Sequence, residues 1–401
     1  MFEVIPPGPA DPMFFLKKAA EEDKSPHKVD LGVGVYRDEA GKYQELNVVR
    51  EAKRRLDTLH LGHDYELTTG DEAFLSLAAR VLFGASSEPL KAGRISSVQT
   101  ISGSGANHLG ALLLATSLGR KPRVFVGIPT WSNTIPLFQH VGLEVTTFSY
   151  LNSSTRQADL KTCVEVMKDA PHGSIFVIQG CCHNPTGADF TLEQWRELAE
   201  EFKALGHIPF IDIAYQGLGD GLDEDAAGVR ILADAGVDML VCQSFSKNFA
   251  LYGERCGALH IVAKSPDVAA NVKDQLRALI RREYSSSPAY GARLVKIILG
   301  DEELRREWES ELSLMRARLR RNRSSLQRYL TETLKTPGEW DHIVNEKGLF
   351  SKLALTPGQC VELVQNHQVY LTADGRINVA GLSERNIVQT ARSIDTVVRA
   401  S

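Results

Sequence analysis

Short apolar runs alternate with longer amphipathic stretches through the middle of the chain. Runs at 97–101, 123–128, 174–179, 208–213, 239–245 and 258–263 are dense in Val, Ile, Leu and Phe and read as buried strands. Between them, 106–118, 191–205 and 226–235 carry helical spacing. The second of these has a clear start. Thr191 and Gln194 fit a capping box, and Leu192, Trp195, Leu198 and Phe202 fall on one face. Strands alternating with helices predict an α/β fold, a mainly parallel sheet with helices on both faces. Ligands of such sheets lie beyond the carboxyl ends of the strands.

The pattern changes after Asp301. Residues 302 to about 334 form one charged, helix-like stretch with Leu304, Trp308, Leu312, Met315 and Leu319 along its apolar stripe. It leads into a second, smaller domain from about 340 to 398, which the segment 28–37 is expected to join or face. The expected divisions are an N-terminal arm (1–11), part of the small domain (12–43), a large domain (44–314) and the remaining small domain (315–401).

Composition excludes more than it assigns. The 401 residues are 43% hydrophobic and 24% charged, ordinary for a globular protein with a full core. A net charge of −4 gives no electrostatic case for nucleic acid or an anionic membrane surface. The six cysteines show no CxxC spacing and read as reduced thiols, neither a disulfide framework nor a zinc site, so no metal is expected. The first twelve residues lack a basic-then-apolar signal and no apolar run approaches membrane-spanning length, so the expected location is the cytoplasm.

Four segments carry candidate chemistry. In 239–255, an apolar run leads into Ser244, Ser246 and Lys247, then Arg255. A strand holds the lysine, the hydroxyls bind an anion and the arginine neutralises it, an order suited to pyridoxal phosphate, which supplies both a carbonyl and a phosphate. Ser244-x-x-Lys247 also fits a serine-hydrolase motif, but the S-D-N and K-T-G partners of that class are missing. In 101–106, Gly103, Ser104 and Gly105 follow a strand and open a helix. Either this is a phosphate site at a helix N-terminus or a plain tight turn; His108 stands where a dinucleotide fingerprint needs its third glycine. In 181–187, Asn184-Pro185-Thr186-Gly187 is a turn that either only turns or aims Asn184 into a cleft. In 210–217, Asp212 interrupts an apolar strand, either as a loop cap or as the partner of a buried cation such as a pyridinium nitrogen.

In this order and spacing, the segments resemble the aspartate aminotransferase family, class I aminotransferases of PLP fold type I. The resemblance runs from Asp30-Leu31-Gly32-Val33-Gly34-Val35-Tyr36 to Gly375-Arg376-Ile377-Asn378. It implies a large domain with a mainly parallel seven-stranded sheet between helices, plus a smaller α/β domain, in a cytoplasmic homodimer with shared active sites. By resemblance Lys247 forms the imine with the cofactor and shuttles the substrate proton, and Asp212 keeps the pyridine nitrogen protonated. Tyr215 and Asn184 bond the ring's 3-oxygen. Gly103, Ser104, Ser244 and Arg255 cradle the phosphate, Trp131 stacks on the ring, and Tyr65 reaches the phosphate of the neighbouring subunit. Arg376 grips the substrate α-carboxylate, Arg281 from the partner takes the side-chain carboxylate, and Gly34 lies beside the substrate.

The implied reaction is ping-pong transamination between aspartate and 2-oxoglutarate. Rival readings are an aromatic amino acid aminotransferase, a family member recruited to another PLP reaction on an aspartate-like substrate, and, from outside the family, a nicotinamide-dependent dehydrogenase or a scaffold; neither of the last two accounts for Lys247. The chain departs from the family pattern at Trp131-Ser132-Asn133-Thr134, where Trp-x-Asn-His is usual, at Asn107-His108, where an apolar-basic pair is usual, and at Lys352-Leu353-Ala354.

Overall fold

A computed structural model describes residues 1–400, which separate into two compact units. The larger comprises Gln44–Arg318 and Asn345–Gly348. The smaller comprises Met1–Tyr43, Leu319–Val344 and the described residues from Leu349 onward. The division between the units falls at Arg318, inside a single long helix, four residues beyond the expected 314, and a four-residue return, Asn345–Gly348, groups with the larger unit.

Seven strands build the larger unit: β1 (Ile95–Ile101), β2 (Val124–Ile128), β3 (Val145–Ser149), β4 (Ile175–Gln179), β5 (Ile208–Ile213), β6 (Met239–Ser244) and β7 (Cys256–Val262). Their order is β1-β7-β6-β5-β4-β2-β3, with β7 antiparallel to both neighbours and every other pairing parallel. Both β6 and β7 are buried along their whole length, as expected of strands covered on two faces by helices. Strand β3 was not among the expected strands. Its Val-Thr-Thr-Phe-Ser run is only half-buried and lies at the sheet edge, so no continuous apolar signal marks it.

Helix α1 (Ser102–Ser117) starts four residues earlier than its apolar spacing suggested. The glycine-rich segment is its first turn, not a loop before it. Ser102 takes a left-handed φ of 62°, which redirects the chain from β1 into the helix. Helix α2 (Leu192–Leu205) has the complete capping box: the Thr191 hydroxyl accepts from the Gln194 N–H, and the Gln194 side chain accepts from the Thr191 N–H. Helix α3 (Pro266–Glu283) covers β1 beside α1. Helix α4 (Glu302–Arg328) is the long charged stretch; it ends in one wider turn, Tyr329–Thr333, rather than running on to 334.

In the smaller unit, the strand Arg376–Asn378 pairs antiparallel with Phe350–Lys352, and Val29–Asp30 pairs with Val369–Tyr370. Among the described residues no helix is long and apolar enough to cross a membrane.

Candidate active site

The register of the large sheet gathers its chemistry at one edge. Gln179, Asp212 and Cys242 are level on β4, β5 and β6, while antiparallel β7 starts opposite the end of β1, with Cys256 beside Ile101. The loops beyond these strand ends enclose a pocket with a volume of about 80 Å³. Ten of the residues singled out as candidate chemistry line it: Gly103, Ser104, Trp131, Asn184, Asp212, Tyr215, Ser244, Ser246, Lys247 and Arg255.

Lys247 follows β6 and is held on both sides. Phe245 and Phe249 flank it at i−2 and i+2, both fully buried; Phe249 stacks on Trp308 with ring centres 4.4 Å apart, and Phe245 meets Phe74 at 5.4 Å. Rings of this kind bury about 150–250 Å² each, worth about 4–6 kcal/mol at 25 cal/mol per Å². The Trp308 Nε1 also donates to the Asn248 carbonyl at 2.7 Å. The lysine is thus fixed by packing on either side while its amine, 5.2 Å from the centre of the Tyr215 ring, enters the pocket. Burial pulls the Lys247 ammonium below the usual lysine range; Asp212 opposes this and Arg255 adds to it. The environment therefore shifts the balance toward the free amine, the form that acts as nucleophile and base.

Asp212 is pushed the other way, to a pKa of about 6. Burial disfavours its charge, against which Lys247 supports the carboxylate. Its Oδ1 is buried without any hydrogen-bond partner. Native proteins rarely leave a buried carboxylate oxygen unpaired, so an orphan atom in a pocket marks the place of a missing cationic or donor group.

The N-terminal turn of α1 lies at the other end of the pocket. Arg255 donates to the Ser102 hydroxyl and, at 2.8 Å, to the Tyr252 carbonyl, which aims its guanidinium beside the helix terminus. A Cβ built on Gly103 would lie 2.9 Å from the Ser244 Cβ, so only glycine lets the helix start approach the end of β6 this closely. Helix dipole, free N–H groups, the Ser244 hydroxyl and a fixed cation make an anion site suited to phosphate. The orphan carboxylate oxygen, the low-pKa lysine between them and this cradle fit pyridoxal phosphate: a ring nitrogen at one end, a phosphate at the other and an aldehyde facing an amine.

Gln179, which the sequence reading passed over, and Asn107, noted there only as a departure from the family pattern, also line the site. Gln179 clamps the backbone of Asn184, accepting from its N–H and donating to its carbonyl, each at 2.8 Å. Asn107 lines the same pocket as Asp212, its Nδ2 donating to the Gly103 carbonyl at 2.9 Å. A polar residue at a strand's carboxyl end, and one on the buried face of a helix, were the available signals. Thr134, where the family's histidine was expected, lines a separate small cavity with Asp212, Gln179 and His183. His183 stacks on Tyr150 at 3.9 Å and bonds Thr186, and burial holds its pKa down to about 3, so it stays neutral. Cys181, Cys182 and Asp225 stand close enough to share a metal. The Asp225 oxygens, however, already accept from the N–H groups of Gly217, Gly219 and Asp220 at 2.8–2.9 Å.

The remaining expected residues lie outside the pocket. Arg281 is exposed in the last turn of α3, donating to the Ser285 hydroxyl, with Arg282 exposed beside it. Tyr65 is 89% exposed. In the smaller unit, the Arg376 guanidinium lies 4.6 Å from the centre of the Phe350 ring and donates to the Gly32 carbonyl at 2.8 Å. A Cβ on Gly34 would lie 2.7 Å from the same ring. Asn378 pins the intervening segment by donating to the carbonyls of Val33 and Val35.

Residues 26–394 match the family model of aminotransferase class I and II. The chain belongs to that family. It is an aminotransferase of the aspartate aminotransferase group, with the fold-type-I architecture. The aminotransferase tasG of Hapsidospora irregularis is 42% identical over 100% of this chain and 97% of that protein. The mitochondrial aspartate aminotransferase of Dictyostelium discoideum is 40% identical, over 98% of this chain and 92% of that protein. Among solved structures, the aromatic-amino-acid aminotransferase of Burkholderia pseudomallei, covalently bound to pyridoxal phosphate, superposes with a TM-score of 0.96 at 37% identity, covering 99% of each chain. The family is PLP-dependent, and relatives acting on aspartate and on aromatic amino acids both resemble this aminotransferase closely.

Proposed function

We propose that this chain transfers the amino group of L-aspartate to 2-oxoglutarate, using pyridoxal phosphate held in the strand-end pocket. The observation that carries the cofactor assignment is the buried, unpartnered Asp212 Oδ1 in one pocket with Lys247 and Arg255. Bound there, the cofactor supplies a carbonyl for the amine and a protonated ring that accepts the electron pair left when the substrate loses its α-proton.

The chain's own residues do the rest. Arg255, Ser244 and the start of α1 hold the phosphate, and Trp131 covers the ring. Asp212 keeps a proton on the ring nitrogen. Tyr215 and Asn184 hold the 3-oxygen. Lys247, whose proton affinity burial lowers, is the base that removes the α-proton and later returns it. Arg376 takes the α-carboxylate; Arg281 from a second copy takes the side-chain carboxylate, because a planar guanidinium matches a carboxylate with two parallel hydrogen bonds. A homodimer is part of this reading: exposed Tyr65, Arg281 and the apolar Leu59, Leu61, Leu67 and Tyr290 are groups that a second copy would use. Cytoplasmic residence agrees with six free, buried cysteines.

Steady-state kinetics on aspartate, tyrosine and phenylalanine test the substrate. A kcat/KM for aspartate well above those for the aromatic acids supports the reading; the reverse order assigns the enzyme to aromatic amino acids.

A further inference from the structure

The turn that carries Asn184 is held by side chains. Three successive backbone N–H groups donate to them: Cys182 to Asp189 Oδ2 at 2.7 Å, His183 to Asp189 Oδ1 at 2.9 Å and Asn184 to Gln179 Oε1 at 2.8 Å. Cys182 takes a left-handed φ of 53°, uncommon for a residue with a side chain. Successive N–H groups in such a turn converge on an anion, and here the anion is a carboxylate of the same chain. Asp189, half-buried, gives one oxygen to each N–H, so the peptide planes on both sides of Cys182 are fixed against one rigid group. The far end of the turn is tied as well. The Gly187 N–H donates to the His183 carbonyl at 2.6 Å, and the Gly187 carbonyl accepts from the Lys347 N–H at 2.7 Å. Asn184, only 6% exposed, then lines the strand-end pocket.

We propose that Asp189 is a positioning residue for Asn184: by holding the N–H groups of Cys182 and His183, it sets the direction from which the Asn184 amide enters the cofactor pocket. This rests on the reading above, in which Asn184 holds the cofactor's 3-oxygen. Gln179 does not substitute for Asp189. It grips the Asn184 backbone itself from the end of β4, whereas Asp189 fixes the two peptides that lead into it.

The test compares wild type, Asp189→Ala, Asp189→Asn, Asn184→Ala and the two double variants, each loaded with pyridoxal phosphate. The readout is the pH midpoint of the bound cofactor's visible absorbance, with melting temperature in parallel. A donor to the 3-oxygen lets that oxygen keep its charge without sharing a proton, so losing the donor raises the midpoint. Asn184→Ala is expected to raise it by about one pH unit, the scale of one hydrogen bond to a charged group. Asp189→Ala is expected to raise it toward the same value. Asp189→Asn is expected to raise it less, because an amide offers one acceptor oxygen to two N–H groups. With Asn184→Ala already in place, neither change at 189 is expected to raise the midpoint further. Loss of a negative charge acting through space would instead lower it. A lowered midpoint, an unchanged one, or the same rise with and without Asn184 would overturn the proposal, as would failure of both variants at 189 to fold. Wild type that binds no cofactor, or Asn184→Ala with an unshifted midpoint, would overturn the functional reading itself, and this proposal with it.

Discussion

The interior of the large unit and its exposed rim use charge in opposite ways. At the strand ends, Lys247 and Asp212 are both pushed away from their ordinary pKa by burial and held by packed aromatics and strand register. On the rim, Arg281 and Tyr65 are solvated, and Arg281 bonds only a serine four residues away. The interior stores its electrostatics in one folded chain, where low dielectric makes each charge matter. On the proposed function, the rim acts only when a second copy desolvates it. On that reading, the cofactor chemistry belongs to the first region and substrate choice to the second.

Substitutions should therefore separate the two regions by what they damage. The largest effect is expected from Lys247→Ala. Removing both the nucleophile and the proton carrier should lower kcat by about 10⁴-fold, the top of the range for a single acid–base group, for aspartate and aromatic substrates alike. Asp212→Asn comes next. It keeps the shape but loses the anion, and should cost about 10³-fold, again irrespective of substrate. Arg281→Ala should break the symmetry. Losing a desolvated charge partner costs roughly 2–5 kcal/mol, so kcat/KM for aspartate should fall by about 10²-fold or more while phenylalanine changes little. Equal losses on both substrates would remove Arg281 from the specificity site and erase the contrast between rim and interior.

The smallest effect concerns stability and has the opposite sign. In the folded chain the Asp212 pKa is raised from 3.8 to about 6, so its carboxylate is disfavoured by folding. Stability linked to this group is fully present below pH 3.8 and is lost as pH rises through about 6. In cofactor-free protein, Asp212→Asn should therefore add up to about 3 kcal/mol at pH 7, at about 1.36 kcal/mol per pKa unit. The gain should vanish below about pH 4. Urea denaturation at both pH values would show it, and an interior residue that costs stability while serving catalysis would be the outcome. A destabilised variant at pH 7 would mean that Asp212 holds the fold.

Much of this was legible in the chain because burial writes itself into sequence. The apolar strands β4 to β7 and their polar interruptions, Asp212 and Lys247, were visible as a broken hydrophobic pattern, and the capping box at Thr191 stated its own geometry. Strand β3 was not, since an edge strand needs no apolar run. The start of α1 was misplaced because glycines at a helix terminus look like a loop when only apolar spacing is counted. Gln179 was missed for a different reason, and Asn107 stood out only as a departure from the family pattern. What each touches is set only once β4, β5 and α1 are assembled. Arg281, Tyr65, Gly34 and Arg376 could be picked out of the chain only by family resemblance, because exposed arginines and tyrosines carry no local signature of their partners.

The central claim is that Lys247 is the amine that meets the cofactor's carbonyl, and one measurement bears on it directly. Purified protein incubated with pyridoxal phosphate is reduced with borohydride, digested and mapped by mass spectrometry. The expected result is an absorbance band in the visible or near-ultraviolet before reduction, and afterwards one stoichiometric phosphopyridoxyl label on Lys247. A colourless protein that gains no band, or a label spread over surface lysines with Lys247 unmodified, would contradict it.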